Sequence, residues 1–306
     1  MVWIYNGSRK ALPTITTIIS SFYFQSIQDR NILLSLQLSA IIITSIYHLS
    51  IYQSNNMTDQ QDQQASVPPK GTRRPAPSPK WIATDLYTLS HLDPPTAHNS
   101  AILNSTLSNS LDHDLPSIYS SRAFAKFLAL QAKAIDAKHF LEVGTLGGYA
   151  SIWLASENPS LEITTLEYDP HHVEVARENI NNAGPGDRIT VHQGAAMETL
   201  PAILSDIDAG KLPKFDMVYV DADKSNNWNY FDAAVKGCRK GAVVIVDNVV
   251  QGGLIASQDK AHDKPEYITG AREVIENAGK DGRVSATVIQ TVGEGSHDGF
   301  LFAVVL

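Results

Sequence analysis

The chain has 306 residues, 43% of them hydrophobic and 18% charged, with a formal net charge of −8. That is enough apolar material for one large globular domain or two small ones, and the acidic balance excludes nucleic acid as the main partner, because phosphate binding needs a basic face. The one cysteine, Cys238, excludes an internal disulfide.

Composition divides the chain into three zones. Residues 1–56 carry only Arg9, Lys10, Asp29 and Arg30 as charged side chains. Within them ILLSLQLSAIIITSIYHLSIY, residues 32–52, is long enough to span a bilayer as a helix, but Ser35, Gln37, Ser39, Thr44, Ser45, His48 and Ser50 dilute it. A small-residue cleavage site is not evident. The zone reads either as a weak membrane anchor or as an accessory or spurious extension, since Met57 opens a natural-looking polar amino terminus. Residues 57–80, MTDQQDQQASVPPKGTRRPAPSPK, are rich in Gln, Pro and basic residues. They cannot bury a core and read as a flexible linker.

From Trp81 to Leu306 short β-branched runs alternate with amphipathic segments. AFAKFLALQAKAI predicts a helix ahead of the first strand, HFLEV (139–143). EITTLE (162–167), RITVHQ (188–193), FDMVYVD (215–221) and AVVIVD (242–247) follow as strands. In DPHHVEVARENINNAG, Val173, Ala176 and Ile180 keep helical spacing and Gly184 supplies a stop. This alternation predicts an α/β fold with a parallel sheet and helices on both faces. RVSATVIQTVGEGSHDGFLFAVVL reads as two strands around a turn-rich loop, an antiparallel closing pair. Cys238, in AAVKGCRKG at the end of a predicted helix, reads as a small packed hydrophobe. His171 and His172, in the first turn of a helix, read as surface residues, and His297 as part of the turn before the last strand.

Ligands of such a sheet sit off the carboxyl ends of its strands, where the topology reverses. The first strand turns into its helix through FLEVGTLGGYAS. Gly144, Gly147 and Gly148 permit close backbone approach, but G-x-x-G-G is not the dinucleotide fingerprint G-x-G-x-x-G. Glu167 ends the second strand, where an acid can accept both hydroxyls of a ribose. NAD and S-adenosylmethionine both carry one; the glycine pattern and the acidic surroundings suit the sulfonium better. Asp221 ends the fourth strand, and Asp247 and Asn248 end the fifth. If those strands are parallel neighbours, two carboxylates and an amide oxygen meet, a hard-oxygen set for Mg²⁺ or a similar ion. Without a cation, Asp221 beside Asp247 would raise one of their pKa values. Lys224 follows three residues after Asp221. Near a cation its pKa should fall, leaving an amine able to accept a proton. Asp223 is expected to face the ligand and steady Lys224 or the donor's positive portion.

The combination FLEVGTLGGYASIWLA, TTLEYDPHHVEVARENINNAG, FDMVYVDADKSNNWNYF, VVIVDNVVQGG and TVGEGSHDGFLFAVV resembles the cation-dependent O-methyltransferases of the caffeoyl-CoA and catechol type. The similarity runs from about Trp81 to the end. It implies a class I methyltransferase (Rossmann-like) fold, a seven-stranded, mostly parallel sheet whose last strand runs antiparallel. It also implies methyl transfer from S-adenosylmethionine to one hydroxyl of an aromatic vicinal diol chelated by a divalent cation. By position the resemblance assigns Asp221, Asp247 and Asn248 to the metal and Lys224 to the base. It assigns Glu142 and Gly144 to the donor's amino-acid side, Glu167 to its ribose and Ala196 to its adenine. Ser120, in IYSSRAF, falls at a donor-contacting hydroxyl. Ala150 replaces a serine frequent near the donor carboxylate, and Ser151 follows it. Asn227 and Trp228 replace a Tyr-Pro pair of plant members, which argues against a plant-like acyl-CoA acceptor. Residues 254–268 are expected to form an acceptor lid. The resemblance also implies a homodimer, and the domain reads as cytoplasmic unless residues 32–52 tether it to a membrane. Two other classes stay in view: an NAD-linked oxidoreductase on a similar sheet, and a non-catalytic module that binds S-adenosylmethionine.

Overall fold

Helix starts and stops follow local chemistry. Ser78 caps α1 (Pro79–Leu92) by accepting from the Lys80 amide, with proline in the first turn. Helix α1 thus begins inside the last residues of the expected linker. Ser121 caps α3 (Arg122–Ala134) in the same way, and α5 (Pro170–Ala183) starts on Asp169–Pro170 and stops at Gly184, whose φ is 96°. The structure, a computed structural model, describes residues 76–257 and 265–306. The expected amino-terminal extension, the membrane-anchor reading of residues 32–52, almost all of the linker, and part of the expected lid lie outside the described residues.

The remaining elements are α2 (Ser100–Asp112), β1 (His139–Val143), α4 (Tyr149–Glu157), β2 (Glu162–Glu167), β3 (Ile189–Gln193) and α6 (Ala196–Asp208). Then come β4 (Phe215–Val220), α7 (Asn227–Gly237), β5 (Cys238–Val246), α8 (Pro265–Ala278), β6 (Val284–Val292) and β7 (His297–Val305). Short 3-10 turns lie at Lys224–Asn226 and Gln251–Ala256. The strands form one seven-stranded sheet in the order β3-β2-β1-β4-β5-β7-β6. Strands β1 to β5 pair in parallel, and β7 runs antiparallel between β5 and β6.

Each face of the sheet carries its own core, as period-2 alternation in fully buried strands requires. On one face Phe140, Ile163, Met217 and Ile245 pack with Leu103, Leu128 and Trp153 of α2, α3 and α4. On the other, Leu141, Val218, Val220 and Val244 pack with Leu200, Phe231 and Val274 of α6, α7 and α8. Each such side chain contributes about 1.5–3 kcal/mol on burial.

Four strand boundaries differ from those predicted, two of them because β4 and β5 each end one residue early, at Val220 and Val246. Strand β3 begins one residue later than RITVHQ. Strand β5 begins at Cys238 because α7 passes into it without a loop, and the charged residues Arg239 and Lys240 hide the strand pattern. Cys238 is buried, and that burial pushes its thiol up to about 12, as a packed hydrophobe should behave. His297 opens β7 rather than the preceding turn.

Candidate active site

The topology reverses between β1 and β4, so the carboxyl ends of these neighbours frame the crevice. The turn after β1 touches the end of β4. Gly144 has φ 104°, and a Cβ there would stand 2.1 Å from the Asp221 carbonyl oxygen. Only glycine permits both. The turn is held from behind by helix α2. Asn179 donates to Ser110 Oγ (3.1 Å) and to the Gly147 carbonyl (2.9 Å), and accepts from Asn109 (2.9 Å).

Glu142 is fully buried at the end of β1. It accepts from Ser151 Oγ (2.6 Å) and Thr165 Oγ1 (2.8 Å). Burial pushes its carboxyl up to about 7, although these two hydroxyls pull the other way. Glu167 pins the glycine turn. Its Oε2 accepts from the Thr145 and Leu146 amides (3.1 and 2.8 Å), its Oε1 from the Asp169 amide (3.0 Å), and His172 Nδ1 lies 3.5 Å away. His172 is therefore half-buried beside a site residue, whereas His171 is exposed. Ala196 opens α6 and is buried.

The opposite wall of the crevice is acidic. Tyr219, buried in β4, brings its hydroxyl within 3.1 Å of Asp221 Oδ2 and 2.8 Å of Asp247 Oδ2, and Ser120 Oγ is 3.0 Å from that tyrosine hydroxyl. The two carboxylates and Ser120 thus converge on one phenol. Lys224 is 8% exposed and donates to Asp221 Oδ1 at 2.5 Å. Asn248 adopts φ 56°, and its backbone N–H donates to Asp247 Oδ1 at 2.7 Å. Asp223 does not reach Lys224. It accepts from Ser225, Asn226 and Tyr230 instead, which closes the turn into α7.

Charge on this wall is unbalanced. Tyr219 has one proton for two carboxylates, and Lys224 is one cation for two anions. Burial and then the Asp221 charge push Asp247 above the usual carboxylate range, the direction the sequence predicted for a pair without a cation. Without an ion, Lys224 is governed by the two carboxylates. Burial opposes its charge, but Asp221 and Asp247 outweigh burial and hold the ammonium above its ordinary value. Among the described residues no three His, Cys, Asp or Glu side chains converge as a metal cluster. A cation here would rest on two carboxylates and an amide oxygen. Such hard oxygens fit Mg²⁺, with water and acceptor oxygens completing the shell, and the surplus negative charge favours one.

A family model described as O-methyltransferase matches residues 95–298. The chain belongs to that family, which includes the catechol and caffeoyl-CoA O-methyltransferases. O-methyltransferase imqG of Aspergillus flavus is 48% identical over 227 residues, covering 74% of this chain and 92% of that protein. Catechol O-methyltransferase of Mycobacterium tuberculosis is 41% identical over 215 residues, 70% of this chain and 93% of its own. The crystal structure of an O-methyltransferase from Bacillus cereus in complex with SAH superimposes with TM-score 0.67 at 38% identity, covering 74% of this chain and 99% of that one. The protein is an S-adenosylmethionine-dependent O-methyltransferase with the class I fold. This sets aside the nicotinamide-linked alternative.

Sequence reasoning missed Tyr219, Thr165 and Asp298. Tyr219 and Thr165 lie inside strand runs, where an aromatic or β-branched residue reads as core. Asp298 lies at the start of a strand whose direction was not used to place it.

Proposed function

We propose that this O-methyltransferase methylates one hydroxyl of an aromatic vicinal diol, with a divalent cation, Mg²⁺ by its oxygen donors, held by Asp221, Asp247 and Asn248. The observation that carries the reading is the half-buried carboxylate pair that shares a single Tyr219 hydroxyl, with one ammonium, Lys224, bonded to Asp221. When bound, the cation supplies Lewis-acid polarisation and orientation of the diol oxygens.

The chain's own residues do the rest. Tyr219, itself bonded to Ser120, holds the two carboxylates in place. Lys224 stands beside Asp221 and serves as the general base. When Asp221 is engaged elsewhere, the ammonium loses its main support and can exist as the amine that accepts the hydroxyl proton. Gly144 lets the donor approach the backbone, and Glu142 offers a carboxylate for the donor's amino group, with Ser151 fixing that carboxylate. Glu167 takes the ribose hydroxyls, Ala196 borders the adenine, and Asp221 and Asp223 line the donor's positive end. Holding both reactants at one crevice converts the transfer into an effectively intramolecular displacement. The homodimer is carried over as part of the same reading; Leu86, Tyr87, Ile289 and Val292 are exposed apolar side chains a second copy can cover.

Asp247→Ala tests the assignment. Turnover of catechol should fall at least about a hundredfold, while S-adenosylmethionine affinity by calorimetry stays within a few-fold of wild type. Near wild-type turnover, or loss of donor binding in step with turnover, would sink it.

A further inference from the structure

Strand β7 runs antiparallel to β5 with Leu301 opposite Val246. Its first residues therefore extend past the end of β5, alongside the segment that follows Asp247. Asp298 is the acid placed there, 8% exposed. Its Oδ1 accepts from the amides of Val250 (3.2 Å), Gln251 (2.9 Å) and Gly299 (2.9 Å). Its Oδ2 lies 3.3 Å from Asn248 Nδ2. The segment it holds is strained: Asn248 and Gln251 have φ 56° and 52°, a region side chains with a Cβ rarely enter. Contact is tight, since a Cβ on Gly299 would stand 2.6 Å from Val250 Cγ2.

We propose that Asp298 is a positioning residue that sets which end of the Asn248 amide is presented to the cation. The inference rests on the cation reading above. An amide's oxygen and nitrogen have nearly the same shape, and only hydrogen bonding decides which way round they sit. Asn248 Nδ2 lies between Asp298 Oδ2 at 3.3 Å and Asp247 Oδ1 at 3.4 Å. Reversing the amide would set its oxygen against two carboxylate oxygens. The NH₂ is therefore committed to the carboxylates, and among the described residues none donates to Asn248 Oδ1. Asp298 thereby makes the asparagine an oxygen ligand, and the same side chain fixes the backbone that carries it.

Asp298→Asn isolates this role. It keeps an oxygen for the three backbone amides and replaces the other oxygen with an NH₂ group, which favours the reversed Asn248. With the full chain and Mn²⁺ as the probe, followed by electron paramagnetic resonance, affinity should fall about tenfold or more. Melting temperature and S-adenosylmethionine affinity should not change. Adding Asn248→Asp to Asp298→Asn conserves charge and restores an oxygen whichever way the side chain turns, so Mn²⁺ affinity should recover to within a few-fold of wild type. A purely structural role does not predict that recovery. If Asp298→Asn does not fold, the double variant decides: recovered affinity supports the proposal, and a tenfold deficit overturns it. Equal affinity in Asp298→Asn and wild type overturns the proposal and leaves the cation reading standing. Wild-type protein that does not bind Mn²⁺, or binds it indifferently to Asp247→Ala, overturns the cation reading and this inference with it.

Discussion

Burying Glu142 costs stability at neutral pH. Burial pushes its carboxyl from 4.5 to about 7 in the folded chain. The folded protein keeps a proton that the unfolded chain sheds, so the stability this group contributes is full below about pH 4.5 and is lost as pH rises to about 7. Glu142→Gln has no such loss. At pH 8 it should be more stable than wild type by up to about 3 kcal/mol, with the two proteins equal near pH 4. The same variant should bind S-adenosylmethionine more weakly, because the carboxylate offered to the donor's amino group is gone. Parallel melting curves from pH 4 to 8 would contradict the assigned burial cost. At this scale the polar members of the candidate site were legible because each ends a strand run or closely follows one: Glu167, Asp221, Lys224, Asp247 and Asn248. Tyr219 was not, because a phenol inside FDMVYVD is indistinguishable from core until its hydroxyl is seen between two carboxylates. Asp298 was not, because its relevance depends on β7 being threaded antiparallel beside β5.

Elements were legible where periodicity was strong. HFLEV and EITTLE coincide with β1 and β2, since short runs with apolar and β-branched residues are bounded there by turns. Helix α2 was not legible. SAILNSTLSNSLD is rich in Ser and Asn, poor helix formers, and tertiary contacts hold it: Leu103 in the core and Ser110 against Asn179 behind the glycine turn. Helix α8 starts at the end of the expected lid and runs ten residues past it. It presses on the Lys224 turn, since a Cβ on Gly270 would stand 1.9 Å from the Lys224 carbonyl oxygen. The clearest coupling between elements is Gly144 against Asp221. Gly144→Ala meets both a positive φ and a backbone oxygen. Strain of about 1–3 kcal/mol should lower the melting temperature by several degrees. Donor binding and turnover should fall together, because the turn and the carboxylate strand move as a unit. A variant with wild-type donor affinity would contradict that coupling.

At the scale of the whole molecule, the doubly wound sheet brings the donor turn of β1 beside the acidic ends of β4 and β5. The antiparallel β7 adds a support from the far side. The strand–helix alternation carried that architecture in plain view, down to a closing antiparallel pair, but it did not carry the order in which β7 inserts between β5 and β6. That order results from how the last hairpin covers the β5 edge, a packing choice without a local signal. No helix among the described residues is long and apolar enough to cross a membrane. The acidic wall is proposed to work through a divalent cation on an aromatic diol. The most direct measurement is methyl transfer from S-adenosylmethionine to catechol by the full chain, first with Mg²⁺, then with a chelator, then with Mg²⁺ restored. The account predicts activity that disappears with the chelator and returns with the ion. Methylation of catechol at an unchanged rate in the chelator would contradict it.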